Sequence, residues 1–127
     1  MKVLVTGAGG FIGSHVVEVL IKAGHQVRAL VRYNSRGSWG HLDEFASKVR
    51  ENIEVRLGDV TDQPQVRSLV DGCDIVLHLA ALIGIPYSYD APASYVATNI
   101  GGTLNVLEAC RQASVRRVIV TSTSEVY

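Results

Sequence analysis

Glycines at positions 7, 10 and 13 stand directly after the apolar run Lys2–Thr6 and directly before a segment with helical spacing. Such a turn is suited to holding phosphate. Gly7 can take a bend that no Cβ tolerates, Gly10 lets backbone approach a pyrophosphate, and Gly13 lets a helix close on a strand. Phe11 and Ile12 open that helix, whose first N–H groups and positive dipole end would face the anion. An ordinary glycine-rich turn is the competing reading. The strand before the turn and the strand–helix alternation after it favour a dinucleotide site.

A second position bears on which dinucleotide. At the end of the second strand a carboxylate would bond the ribose 2′-hydroxyl, whereas a cation would receive a 2′-phosphate. Here the sequence runs Val31-Arg-Tyr-Asn-Ser-Arg36, with no carboxylate. Arg32 and Arg36 both carry the fork geometry suited to phosphate. NADP is therefore favoured over NAD, against the alternative of two solvated loop arginines. Ala80 and Ala81 are small residues after the fourth apolar run, where a cofactor would pass close to backbone.

The elements that must position these residues are legible as apolar runs at Lys2–Thr6, Gln26–Val31, Ile53–Leu57, Asp74–Leu79 and Arg117–Thr121. They are nearly continuous, as strands covered on both faces should be. Between them Ile12, Val16 and Leu20 repeat at helical spacing, with Gly24 a plausible stop. His41–Val49 and Gln63–Val70 are shorter helix candidates, and one long helix is expected from Ala93 to Ala113. This alternation predicts an α/β fold with helices on both faces of a parallel sheet. Arg32–Gly40 and Leu82–Pro92 read as irregular stretches beyond strand C-termini, where open α/β sheets bind ligands.

Composition bounds the function. The 127 residues carry 12 basic and 12 acidic side chains, so no basic excess points to nucleic acid. Apolar content of 47% excludes a disordered chain, and no run has the length of a membrane span. Cys73 and Cys110 are too few for a disulfide framework or a zinc site, and no metal site is expected. A soluble, cytoplasmic domain is the resulting expectation.

The segment Thr6-Gly-Ala-Gly-Gly-Phe-Ile-Gly13 resembles the fingerprint of the extended short-chain dehydrogenase/reductases, the nucleotide-sugar epimerases and dehydratases. The likeness continues through Gly58-Asp-Val60, His78-Leu-Ala-Ala81, Thr98-Asn-Ile-Gly-Gly-Thr103 and Ser122-Thr-Ser-Glu-Val-Tyr127. It implies a Rossmann-type doubly wound sheet of order 3-2-1-4-5, ending before the family's last strands. It also implies that Asp59 accepts from the adenine amino group, with Val60 and Leu79 beside the cofactor. Turn chemistry alone would also explain Gly-Asp. Asn99 would hold water in the family's proton relay, and an Asn inside a helix is otherwise unfavourable.

The resemblance also assigns a catalytic end. Thr123 would bond the sugar's 4-hydroxyl, and Glu125 falls where 4,6-dehydratases keep the base that removes the proton at carbon 5. Ser124 stands where many dehydratases have an Asp general acid. The order Thr-Ser-Glu is closer to GDP-mannose 4,6-dehydratases, whose Glu also relays the proton, because a serine hydroxyl is a poor acid. The stretch Tyr33-Asn-Ser-Arg-Gly-Ser-Trp-Gly40 is similar to bacterial UDP-N-acetylglucosamine 4,6-dehydratases of the legionaminic-acid type. UDP-glucuronate decarboxylases share Ser-Thr-Ser-Glu-Val-Tyr, and epimerases need no base at position 125.

The expectation is the dinucleotide-binding part, residues 1–127, of a UDP-linked nucleotide-sugar dehydratase that is a homodimer at full length. Its Tyr-x-x-x-Lys pair and substrate lobe would lie downstream, leaving this chain inactive alone. Tyr127 is not that tyrosine, because it lies only four residues beyond Thr123. A non-catalytic dinucleotide sensor and a bare folding module are the alternatives of other classes. His78 reads as a packed core histidine rather than a base. Trp39 is a lid anchor or a loop plug, and Tyr87 and Tyr89 border the substrate or merely the rim.

Overall fold

The computed structural model describes residues 1–45 and 47–123. Five strands form one parallel sheet: β1 (Lys2–Thr6), β2 (Gln26–Arg32), β3 (Ile53–Gly58), β4 (Ile75–His78) and β5 (Arg117–Val120). Their order is β3-β2-β1-β4-β5, the order expected from the resemblance. β1 is central because both its faces are apolar. Val3 and Val5 pack toward one helix layer and Leu4 toward the other, all essentially inaccessible. Registers Thr6–Leu30 and Thr6–His78 bring the C-terminal ends of β1, β2 and β4 to one edge of the sheet.

Helix α1 (Phe11–Lys22) covers the Val3/Val5 face. Its inward stripe is Gly13, Ser14 and Val17, rotated from the Ile12/Val16/Leu20 repeat; Ile12 is 63% exposed. Gly13 decides this rotation, because the helix touches the strand–turn backbone there. After β2, a 3₁₀ turn (Gly40–Glu44) and the short α2 (Ser47–Arg50) replace the single helix expected over His41–Val49. Helix α3 (Gln63–Val70) has the predicted bounds. Asp62 caps it by accepting from the Gln65 amide at 3.1 Å, and Pro64 sits harmlessly in the first turn.

The stretch Leu82–Pro92, expected to be irregular, contains α4 (Ile85–Asp90), followed by α5 (Pro92–Tyr95). Its two prolines are why it reads as a loop. Both fall in first turns, where the missing N–H removes no helical bond. The long helix expected from residue 93 is also not uniform. A π-helical segment, Val96–Gly102, intervenes before α6 (Thr103–Gln112). α3 and α6 pack on the Leu4 face through Val66, Leu69, Val70, Val106 and Ala109. Among the described residues no helix is long and apolar enough to cross a membrane.

Candidate functional site

The strand ends open into a cleft of about 1490 Å³ that runs across the sheet edge. Its floor begins at the glycine turn. Gly7 has φ +67°, and a Cβ there would lie 2.8 Å from the Ala80 nitrogen. A Cβ on Gly13 would overlap the Gly7 carbonyl oxygen. These are the steric reasons for two of the three glycines. Gly10, extended at φ −76°, caps α1 with no side-chain hydrogen bond, and no acidic residue stands in the first turn. Phe11 and Ile12 line the cleft, so the positive dipole end of α1 meets it with no acidic side chain in the first turn to compete.

Beyond the turn, Arg32 and Tyr33 line the cleft from the end of β2, and Gly58, Asp59 and Val60 from the end of β3. Asp59 combines turn and cleft roles. Its Oδ1 accepts from the Thr61 amide and hydroxyl at 3.0 and 2.9 Å. Gln65 brackets the same corner: its Oε1 accepts from the Asp59 amide at 3.0 Å, and its Nε2 donates to the Leu57 carbonyl at 2.9 Å. Val60 is buried, with its carbonyl held by Asn105 at 2.9 Å. Arg36 stands outside the cleft lining, on a loop organised by Asn34. Asn34 Oδ1 accepts from the Arg36 and Ser38 amides, and its Nδ2 donates to the Ser38 carbonyl. Asp43 completes this loop, accepting from the Ser38 hydroxyl at 2.7 Å and the Trp39 amide at 3.1 Å. Trp39 packs on the core, so it is a plug rather than a lid.

The far wall comes from Leu79–Leu82, from Asn99 and Thr103, and from Ser122 and Thr123 beyond β5. Asn99 and Leu82 exchange two hydrogen bonds. The Asn99 carbonyl accepts from the Thr103 hydroxyl at 2.7 Å. His78 is 3% exposed and bonded at both ring nitrogens, a packed core histidine as expected; burial holds its pKa below the ordinary imidazole value. Tyr95, which the sequence did not single out, donates to the Ile83 and Gly84 carbonyls at 2.6 and 2.8 Å. Tyr87 and Tyr89 are exposed and not in the lining. Ser124 and Glu125 lie outside the described residues. Burial pushes the Cys110 thiol up to about 11, in keeping with an inert residue. Among the described residues no cluster could hold a metal ion.

Thr6, Thr103, Gln65, Asn34 and Asp43 escaped the sequence reading. Thr6 and Thr103 act on a histidine that only the fold brings near, whereas Gln65, Asn34 and Asp43 act through local hydrogen bonds to residues at most eight positions away. The residues present fit an extended dinucleotide: a cradle that a Cβ would fill, an uncapped helix start, and a long cleft crossing the sheet.

Comparison with known proteins agrees with this geometry. The family model described as GDP-mannose 4,6 dehydratase matches residues 4–127. UDP-N-acetyl-alpha-D-glucosaminuronate decarboxylase of Bacillus cytotoxicus is 35% identical over 99% of this chain and 37% of its own length. UDP-glucuronate 4-epimerase 3 of Arabidopsis thaliana is 36% identical over 99% of this chain and 30% of its own. The solved structure of MoeE5 with UDP-glucose and NAD superposes with a TM-score of 0.80 at 36% identity, covering all of this chain and 38% of that one. UDP-N-acetylglucosamine 4-epimerase from Methanobrevibacter ruminantium gives a TM-score of 0.85 at 33% identity, over 99% and 39%. The chain thus spans between 30% and 39% of the length of these relatives. It belongs to the GDP-mannose 4,6-dehydratase family of the extended short-chain dehydrogenase/reductases and forms their NAD-binding Rossmann domain.

Proposed function

We propose that this chain is the cofactor-binding part of a nucleotide-sugar 4,6-dehydratase acting on a UDP-linked sugar, with its Tyr-x-x-x-Lys pair and substrate lobe downstream. The observation that carries the reading is the single cleft joining the glycine turn to Thr123. A bound nicotinamide would supply the hydride acceptor for oxidation at sugar carbon 4 and the hydride donor at carbon 6, the 4-hydroxyl proton going to the tyrosine of the Tyr-x-x-x-Lys pair. The Thr123 hydroxyl bonds the 4-hydroxyl of the sugar. Glu125 then removes the carbon 5 proton, acidified by the neighbouring ketone, and passes a proton to the departing 6-hydroxyl, with Ser124 alongside. NADP is the preferred cofactor, supported by Arg32 at the end of β2 and by the absence of a carboxylate there.

The face formed by Val96, Ile100, Leu104 and Leu107, each 43–65% exposed, supports a homodimer. Decarboxylation or epimerisation is the second reading, favoured by the names of the relatives above. The test is product analysis of the full-length protein with UDP-N-acetylglucosamine in deuterated buffer. A 4-keto-6-deoxy sugar labelled at carbon 5 is expected. A 4-epimer, or carbon dioxide from the corresponding uronic acid, would replace the dehydratase reading. Cofactor binding with no turnover of any of these sugars would leave a sensor.

A further inference from the structure

We infer that His78 is a positioning residue: as the neutral Nε2–H tautomer it locks the Leu79–Leu82 strap that forms one wall of the cleft. This rests on reading the cleft as a dinucleotide site.

The Thr6 hydroxyl oxygen accepts from the Leu79 and Ala80 amides, both at 3.1 Å. Two lone pairs are thereby used, and the one remaining valence is its own proton. That proton has His78 Nδ1 before it at 2.7 Å, so Nδ1 must be bare. A neutral ring then carries its hydrogen on Nε2, which lies 3.0 Å from the Thr103 hydroxyl oxygen. The Thr103 proton is already directed at the Asn99 carbonyl, 2.7 Å away, so its oxygen receives the Nε2–H. Both ends of the ring demand the same tautomer independently.

The consequence is mechanical. The strap is tied at Leu79 and Ala80 by Thr6, and at Leu82 by the Asn99 side chain. His78 joins these two ties, so the floor under Gly7 and the helix bearing Asn99 share one polar chain. A second proton on the ring would set Nδ1–H against the Thr6 proton, forcing Thr6 to release one strap amide. The groups bonded to the ring are the hydroxyls of Thr6 from β1 and Thr103 from α6. Neither carries a charge that would stabilise an imidazolium.

Long-range ¹H–¹⁵N correlation spectra of the cofactor-free protein at neutral pH read the tautomer directly. His78 should show a bare Nδ1 and a protonated Nε2; the reverse tautomer, or an imidazolium, overturns the inference. Two variants separate positioning from bulk packing. His78→Asn can keep an acceptor for the Thr6 proton, whereas His78→Phe keeps only volume. Amide exchange at Leu79 and Ala80 should accelerate about tenfold or more in His78→Phe and be largely rescued in His78→Asn. Equal protection in the wild type and His78→Phe would refute the positioning role. If His78→Phe does not fold, the wild-type tautomer still decides. NAD titration is run alongside: wild type that fails to bind NAD while showing the expected tautomer sinks the cofactor reading alone.

Discussion

The Asn99 side chain and the Leu82 backbone are joined by two reciprocal hydrogen bonds. The Leu82 amide donates to Oδ1 at 2.9 Å, and Nδ2 donates to the Leu82 carbonyl at 3.0 Å. A side chain on the π-helical segment thus substitutes for a strand partner, ordering backbone just past the end of β4. Asn99→Ala strands both groups and should cost about 1–3 kcal/mol, measurable by urea denaturation. Asn99→Asp keeps the acceptor and loses the donor, so it should fall between. Wild-type stability in Asn99→Ala would show that water replaces the side chain at no cost.

The glycine turn makes a sharper prediction. Gly13→Ala would put a methyl into the Gly7 carbonyl, and Gly7→Ala adds a left-handed backbone to a contact with Ala80. Each should lower stability by about 1–3 kcal/mol and weaken NAD binding beyond tenfold. Calorimetric titration against NAD measures the second effect. A Gly13→Ala protein that binds NAD as wild type does would remove the turn from the site.

Arg32 and Arg36 are separable. Arg32 lines the cleft and Arg36 does not. Arg32→Ala should raise the NADP dissociation constant about tenfold or more while leaving NAD nearly unchanged. Arg36→Ala should do much less. If NADP affinity survives the loss of Arg32, the 2′-phosphate assignment is wrong.

Acid stability follows from Glu54. Its partial burial raises the carboxyl pKa, but bonding to Arg28 and Lys2 outweighs this and holds it below the ordinary glutamate value. Arg28 Nε and Lys2 Nζ each approach Glu54 Oε2 at 3.1 Å. Because the folded pKa is depressed, the stabilisation is present above the ordinary glutamate range. It is lost as pH falls through the depressed value. His78 acts in the same direction at higher pH. The buried neutral ring stabilises fully above the ordinary imidazole range, and less as pH drops below it. Melting temperatures of wild type and Glu54→Gln should therefore converge as pH is lowered through the acid range. Curves that stay parallel would show that the ion pair makes no contribution.

Much of this was legible in the sequence. The five strands fall within a residue or so of the apolar runs, because burial on both faces leaves a continuous signal. The glycine turn was legible for a similar reason: its constraints are local and steric. The Thr6–His78–Thr103 chain was not, since its partners lie 72 and 25 residues apart and a polar residue in a strand looks alike whether bonded or not. The π-helical segment escaped because apolar spacing over Val96–Leu107 still suggests a uniform helix. Helix α4 was hidden by Pro86, a breaker everywhere except in a first turn.

Gly40 has φ +64°, and a Cβ there would strike the Gly9 carbonyl, while the His41 amide donates to that same oxygen at 2.9 Å. Two loops separated in sequence are thus in register, backbone against backbone. For protein engineering this makes them one cassette. Transplanting the Arg32–Glu44 segment from a relative, to exchange one nucleotide preference for another, would require the Gly7–Gly13 turn to travel with it. An insertion in either loop would be felt in the other.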